Sequence, residues 1–203
     1  MPQPKSVDKP KQLVVEGKDA VYFFQALLHV VGVSNIQIQN FGSVGELGDF
    51  LKLLVVTPSF AEIVDSVGIV RDAETAAPSA AQSIRAALAA ADLDVPAHPV
   101  TPTGSGPKVS YFILPNNADP GMLETLCLQS VANDPVMPCI ENFFTCVGGV
   151  GASVPANMTK AKVQAFLATR RNLKRLLGQA AHAGQWNLSS SVFNNLKQFL
   201  QTL

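Results

Sequence analysis

Four times between residues 12 and 134 a short apolar run is followed by a longer segment whose apolar residues recur at helical spacing. No other feature of the chain narrows its fold as much. The runs "QLVV" (12–15), "NIQIQNF" (35–41), about 66–71 within "VDSVGIVRDAE", and "VSYFILP" (109–115) read as strands. "DAVYFFQALLHVVG", which stops at Gly32, then "SVGELGDFLKLLVV" (43–56), "SAAQSIRAALAAA" (79–91) and a segment from about Met122 read as helices. Such alternation builds a parallel sheet covered on both faces. The expected fold is therefore α/β: a Rossmann-like, mostly parallel four-stranded sheet with helices on both faces.

The texture changes after residue 135. "PCIENFFTCVGGVGA", "TKAKVQAFLATRRNLKRLL" and "SSVFNNLKQFLQTL" are all helical in period, with no further strand. Three segments follow: a flexible leader over 1–10, marked by Pro2, Pro4 and Pro10; an α/β domain over 11–134; and a helical appendage over 135–203, packed on the same core and anchored by Trp186. "VPAHPVTPTGSGPK" (95–108) is too long for an ordinary turn and reads as a lid, a binding loop or a mobile segment.

At 203 residues, 47% hydrophobic and 15% charged, the chain can bury a core and is not a disordered tail. No apolar run approaches the roughly 20 residues needed to span a bilayer, and the N-terminus lacks the apolar middle of a signal peptide. No membrane and a cytoplasmic address are the default expectations. Cys127, Cys139 and Cys146 are odd in number and lack CxxC spacing, which argues for reduced, mostly buried thiols and against a zinc site. His29, His98 and His182 are scattered and show no ligand pattern.

Acidic residues gather where the strands end. Glu16 follows the first strand, Asp72 and Glu74 the third, and Asp119 and Glu124 the fourth. Open parallel sheets bind ligands beyond the carboxyl ends of their strands, so these groups converge on one rim. Their mutual repulsion is relieved by protons or by a hard divalent cation such as Mg²⁺ or Mn²⁺. Glu16, Asp72, Glu74 and Asp19 are the candidate ligands; Asp19 also reads as a helix cap, and Glu124 as a solvated first-turn residue. The first helix points its positive end at the cluster, which favours an ionised Glu16.

"VVEGKDA" and "IVRDAE" together resemble the Toprim domain, which carries a glutamate and glycine after its first strand and a D-x-D pair after its third. Toprim domains occur in topoisomerases, primases, recombination proteins and the nucleases of the overcoming-lysogenisation-defect type. "ILPNNADPGMLETLC" and "GQWNLSSSVFNNLKQFLQTL" look closest to a small bacterial Toprim-like family, a domain of unknown function related to those nucleases. The resemblance runs from about Lys11 to the C-terminus. It implies a Toprim-like fold, Glu16 as acid/base or metal ligand, Asp72 with Glu74 as the metal-binding pair, and Glu124 as the further glutamate of nuclease members. Two departures stand out: the pair is D-x-E, and Ala20 occupies the place where related nucleases carry a further acid. A full second metal site is not implied.

Net charge is zero but unevenly spread. Residues 1–154 hold 8 Lys/Arg against 15 Asp/Glu, a net −7, while residues 155–203 hold 7 Lys/Arg and no carboxylate, a net +7. Read as a helix, "ATRRNLKRLL" places Arg170, Arg171, Lys174 and Arg175 on one face, near Lys160 and Lys162. That face, with Lys18 beside the acids and Lys108 in the "TGSGPK" loop, supplies candidate phosphate contacts. The expectation is a Mg²⁺- or Mn²⁺-dependent phosphodiester-cleaving enzyme, a nuclease with Glu16, Asp72, Glu74 and Glu124 as catalytic residues, acting on DNA or RNA. The alternative is a non-catalytic Toprim-scaffold module that binds or regulates with a partner protein. A homo-oligomer fits either reading.

Overall fold

The computed structural model describes residues 2–174 and 176–203. In chain order the α/β unit comprises β1 (Lys11–Glu16), α1 (Gly17–Val31), β2 (Ile36–Gly42), α2 (Leu47–Val55), α3 (Phe60–Ile63), β3 (Ser66–Asp72), α4 (Ala77–Ala90), β4 (Lys108–Leu114) and α5 (Leu123–Ser130). Then follow the α-helices α6 (Met137–Gly149), α7 (Met158–Ala168), α8 (Leu177–His182) and α9 (Asn194–Thr202). All strand pairings are parallel, in the order β2-β1-β3-β4. This is the α/β, Rossmann-like architecture that the alternation predicts.

Both faces of the sheet are covered, which is why its inner strands are almost continuously apolar. Leu13, Val15, Val70, Phe112 and Leu114 belong to a cluster shared with α1 and α5–α9. Val14, Val67, Ile69, Tyr111 and Ile113 belong to one shared with α2–α4. Among the described residues the helices after residue 135 share the core of the sheet: Val163, Phe166, Trp186 and Phe199 pack into the cluster that contains Leu13 and Phe112. Trp186 anchors them, stacking on Phe166 with ring centroids 5.0 Å apart and donating Nε1–H to the Leu177 carbonyl at 3.0 Å. No helix among the described residues is long and apolar enough to cross a membrane.

Three segments differ from expectation. Residues 5–9, within the leader read as flexible, are fixed across β1 and β2. Gln12 and Gln39 are fully buried on the α2–α4 face, where buried amides require partners. Gln39 donates to Gln12 at 2.9 Å, Gln12 donates to the Lys9 carbonyl at 2.6 Å, and Gln39 accepts from the Lys5 amide at 2.9 Å. Val7 closes this layer in the same apolar cluster as Val14.

The 95–108 segment is no lid over the rim. Val100 donates its amide to the Tyr111 carbonyl at 2.9 Å, and Thr103 forms an antiparallel bridge with Val109, so the segment lies along the outer edge of β4. Among the cysteines Cys127 is buried, but Cys139 and Cys146 are exposed on α6, against the expected burial.

Candidate functional site at the switch point of the sheet

β1 runs into α1 on one face and β3 into α4 on the other, so the strand order reverses between them. Chain connections diverge there and leave a crevice beyond the carboxyl ends. A cavity of about 310 Å³ fills it, lined by Glu16, Asp72, Glu74 and Glu124 and by Lys18, Arg71 and Lys160.

Glu16 owes its position to two local irregularities. The β1–β2 register shifts between Val15 and Glu16, and such a bulge re-aims the side chain at a strand end. Gly17 then takes φ +77°, a left-handed turn into α1 that a side chain would strain. Glu16 forms no cap bond to α1, and its Oε2 is buried without a hydrogen-bond partner. Burial raises its pKa above the usual carboxylate value, with Arg71 opposing and Glu74 adding to the rise. The direction is opposite to the expectation of a readily ionised Glu16.

Asp72 ends β3 and accepts the Leu123 amide at the head of α5 at 3.0 Å. Its pKa is pushed up to about 7, first by burial and then by the charges of Glu124 and Glu16. Glu124, in the first turn of α5, is raised chiefly by burial and lies 3.8 Å from the Lys160 ammonium. Glu74 is exposed at the mouth with φ +54°, its backbone exchanging two 2.9 Å hydrogen bonds with Gly121. The rim therefore brings together Glu16, Asp72, Glu74 and Glu124 from three elements.

Asp19 is spent elsewhere. Its two oxygens accept the Leu177 and Gly178 amides at 2.9 and 2.6 Å, so it caps α8 and not its own helix. Its carboxylate is thus committed to a structural role, contrary to its expected place among the ligands. Asp19→Asn is expected to cost about 1–2 kcal/mol, because the amide nitrogen faces one of those donors, and to do so with or without Mn²⁺. Thermal melting in chelator and in Mn²⁺ checks this.

Of the described basic candidates, Lys18 and Lys160 line the cavity and the others do not. Lys108 begins β4, at the opposite end of the sheet, and bonds the Gly104 carbonyl. Lys162 pairs with Glu141 at 2.7 Å. The expected basic helix face does not form, because α7 ends at Ala168. Thr169 Oγ donates to the Phe166 carbonyl at 2.7 Å and so competes for an acceptor that the next turn needs. Arg170 instead grips Asp134 through two hydrogen bonds, at 2.9 and 3.3 Å, with its guanidinium 4.1 Å from the Phe166 ring centroid. Arg171 lines a separate cleft with His182, Lys174 lies near Tyr22 and Gln179, and Arg175 falls outside the described residues. Arg170→Ala is expected to lower stability by about 1–2 kcal/mol in a melting experiment, a packing loss.

The residue that sequence reading missed is Arg71. It sits just before Asp72, lines the cavity, and keeps Nε and Nη1 buried without hydrogen-bond partners. The available signal was a lone cation at the end of an apolar strand, adjoining an acid.

Among the described residues no three His, Cys, Asp or Glu stand close enough to cage a metal ion unaided. The donors in the cavity are nevertheless all oxygen, mutually repelling, and include one orphaned buried carboxylate oxygen. Mg²⁺ and Mn²⁺ suit such a set through one or two carboxylates and retained waters. A softer or fully protein-ligated ion does not.

A family model described as a protein of unknown function (DUF3226) matches residues 10–203. No curated protein and no solved structure matches the chain.

Proposed function

As the chain belongs to the DUF3226 family, whose function is unknown, we propose its activity from its own residues: Mg²⁺- or Mn²⁺-dependent cleavage of phosphodiester bonds in nucleic acid. One observation carries this reading. A single cavity holds a buried carboxylate oxygen of Glu16 and two buried guanidinium nitrogens of Arg71, all without hydrogen-bond partners. Such a cavity suits a cation and an anion together, as a phosphate ester with its metal ion provides.

Glu16 and Asp72 would hold the ion, Asp72 through the oxygen not engaged by Leu123, with Glu74 reaching its waters from the mouth. When bound, the ion neutralises phosphoryl charge and acidifies a water. Arg71 and Lys18 orient the phosphate. Glu124, whose raised pKa suits a proton acceptor, takes the proton of the attacking water as its oxygen bonds to phosphorus. The ester P–O bond breaks, and the leaving oxygen takes a proton from solvent at the mouth. The pattern Glu-Gly after β1 and Asp-x-Glu after β3, which resembles Toprim nucleases, supports the same assignment.

A second reading, a non-catalytic module acting with a partner protein, is favoured by Ala20, which lines the cavity where related nucleases carry an acid. Mn²⁺-dependent cutting of single-stranded DNA, duplex DNA or RNA, lost in the Glu16→Gln/Asp72→Asn double variant, is the deciding test. Metal binding without turnover on any of the three would favour the module.

A further inference from the structure

β3 alternates cleanly until its end. Val67 and Ile69 enter the apolar layer under α2–α4, and the next residue of that register is Arg71. A guanidinium there reaches out of the apolar layer toward the cavity. Its Nε and Nη1 are buried unpaired, a penalty that the folded chain bears without return unless a ligand meets them. Glu16 and Arg71 line the same cavity, yet Glu16 Oε2 and Arg71 Nε and Nη1 form no hydrogen bond with one another. The two groups face a shared space without closing it.

That space is small. At about 310 Å³ it lies at the low end of small-molecule sites. Among the described residues the cations lining it are Lys18, Arg71 and Lys160, against the carboxylates of Glu16, Asp72, Glu74 and Glu124 and that of Asp19, which is held by the α8 amides. Among the described residues Lys108, Lys162 and Arg170 are engaged elsewhere and Arg171 and Lys174 line other clefts, so they extend no positive track from the cavity along which a duplex would lie. A duplex binder neutralises many phosphates at once; this surface offers contacts for one or two.

We propose that Arg71 anchors the phosphate of an unpaired nucleotide, at a strand end or within a short oligonucleotide, and that the cavity excludes duplex. The proposal narrows the substrate of the phosphodiesterase reading and rests on it for the metal, but the anion contact of Arg71 is measurable without turnover. Arg71→Met keeps the stem and removes the charge; Arg71→Lys keeps the charge and removes the planar fork.

The test is titration of a 5′-phosphorylated thymidine dinucleotide, and separately of a duplex oligonucleotide, into the full chain in Ca²⁺ at several salt concentrations. The wild type is expected to bind the dinucleotide in preference to duplex, with a log–log salt slope of about −1 to −2. Arg71→Met is expected to bind it about tenfold to a hundredfold more weakly, with Arg71→Lys between. Arg71→Met is also expected to melt no lower than wild type, since it removes an unpaired buried charge, and to keep its Mn²⁺-induced rise, which separates a lost anchor from a lost fold. Dinucleotide binding by Arg71→Met equal to wild type, no dinucleotide binding by the wild type, or a preference for duplex overturns the proposal. If the anchor holds and no substrate is cut, the enzyme reading falls and the anchor stands; if Arg71→Met cuts with unchanged KM, the reverse is true.

Discussion

Glu16→Gln and Asp72→Asn are each expected to lower Mn²⁺-dependent cleavage by about 10³-fold while the chain stays folded. Asp72→Asn is also expected to make the protein more stable at neutral and alkaline pH. In the folded chain the Asp72 pKa is about 7, against an ordinary value of 3.8. Below pH 3.8 the group is neutral in both states and costs nothing. As pH rises from there to about 7 the unfolded chain ionises first, so folded stability is lost across that window and is not regained above it.

Asparagine never ionises, and its oxygen still accepts the Leu123 amide. The variant should therefore exceed wild type by about 4 kcal/mol at pH 8, a rise in melting temperature of about 8–16 °C, and match it near pH 4. Mn²⁺ should raise the wild-type melting temperature and leave Asp72→Asn nearly unmoved. Paired melting curves with and without metal decide the matter. A variant less stable than wild type at pH 8 would mean that Asp72 is not held against its own charge.

Gly178→Ala is expected to damage the fold more than any change among the acids. A Cβ at Gly178 would fall on the Asp19 carbonyl oxygen and lie 2.6 Å from Tyr22 Cβ. One obstacle is backbone, so relief requires α8 to move away from α1. That movement would also pull the Leu177 and Gly178 amides off the Asp19 carboxylate. Overpacking and the lost cap together should cost about 3 kcal/mol, or roughly 6–12 °C of melting temperature. A loss below about 2 °C would show that the crossing of α1 and α8 has slack the geometry does not reveal.

What the sequence disclosed, and what it hid, divides by range. Strands buried on both faces announce themselves through runs such as "VSYFILP", and Gly32 marks the end of α1, because each of these is a local preference. The Glu16–Asp72 rim was legible because strand ends and switch points follow from topology. The partners of Asp19 were not: they lie 158 and 159 residues away, and a cap for another helix leaves no trace in spacing.

Helical period over-extended α7 for a related reason. Periodicity carries no record of the Thr169 hydroxyl or of the pull of Asp134 on Arg170. Arg71 escaped notice because its meaning lies in the bonds it does not make.

The segment that follows α4 has a further effect, through Val100 and Thr103 against β4. A sheet margin with idle amides recruits backbone from whatever molecule comes by. Here that margin is occupied from within the same chain, so growth of the sheet past β4 is blocked before it begins, and encounters on that flank are left to side chains.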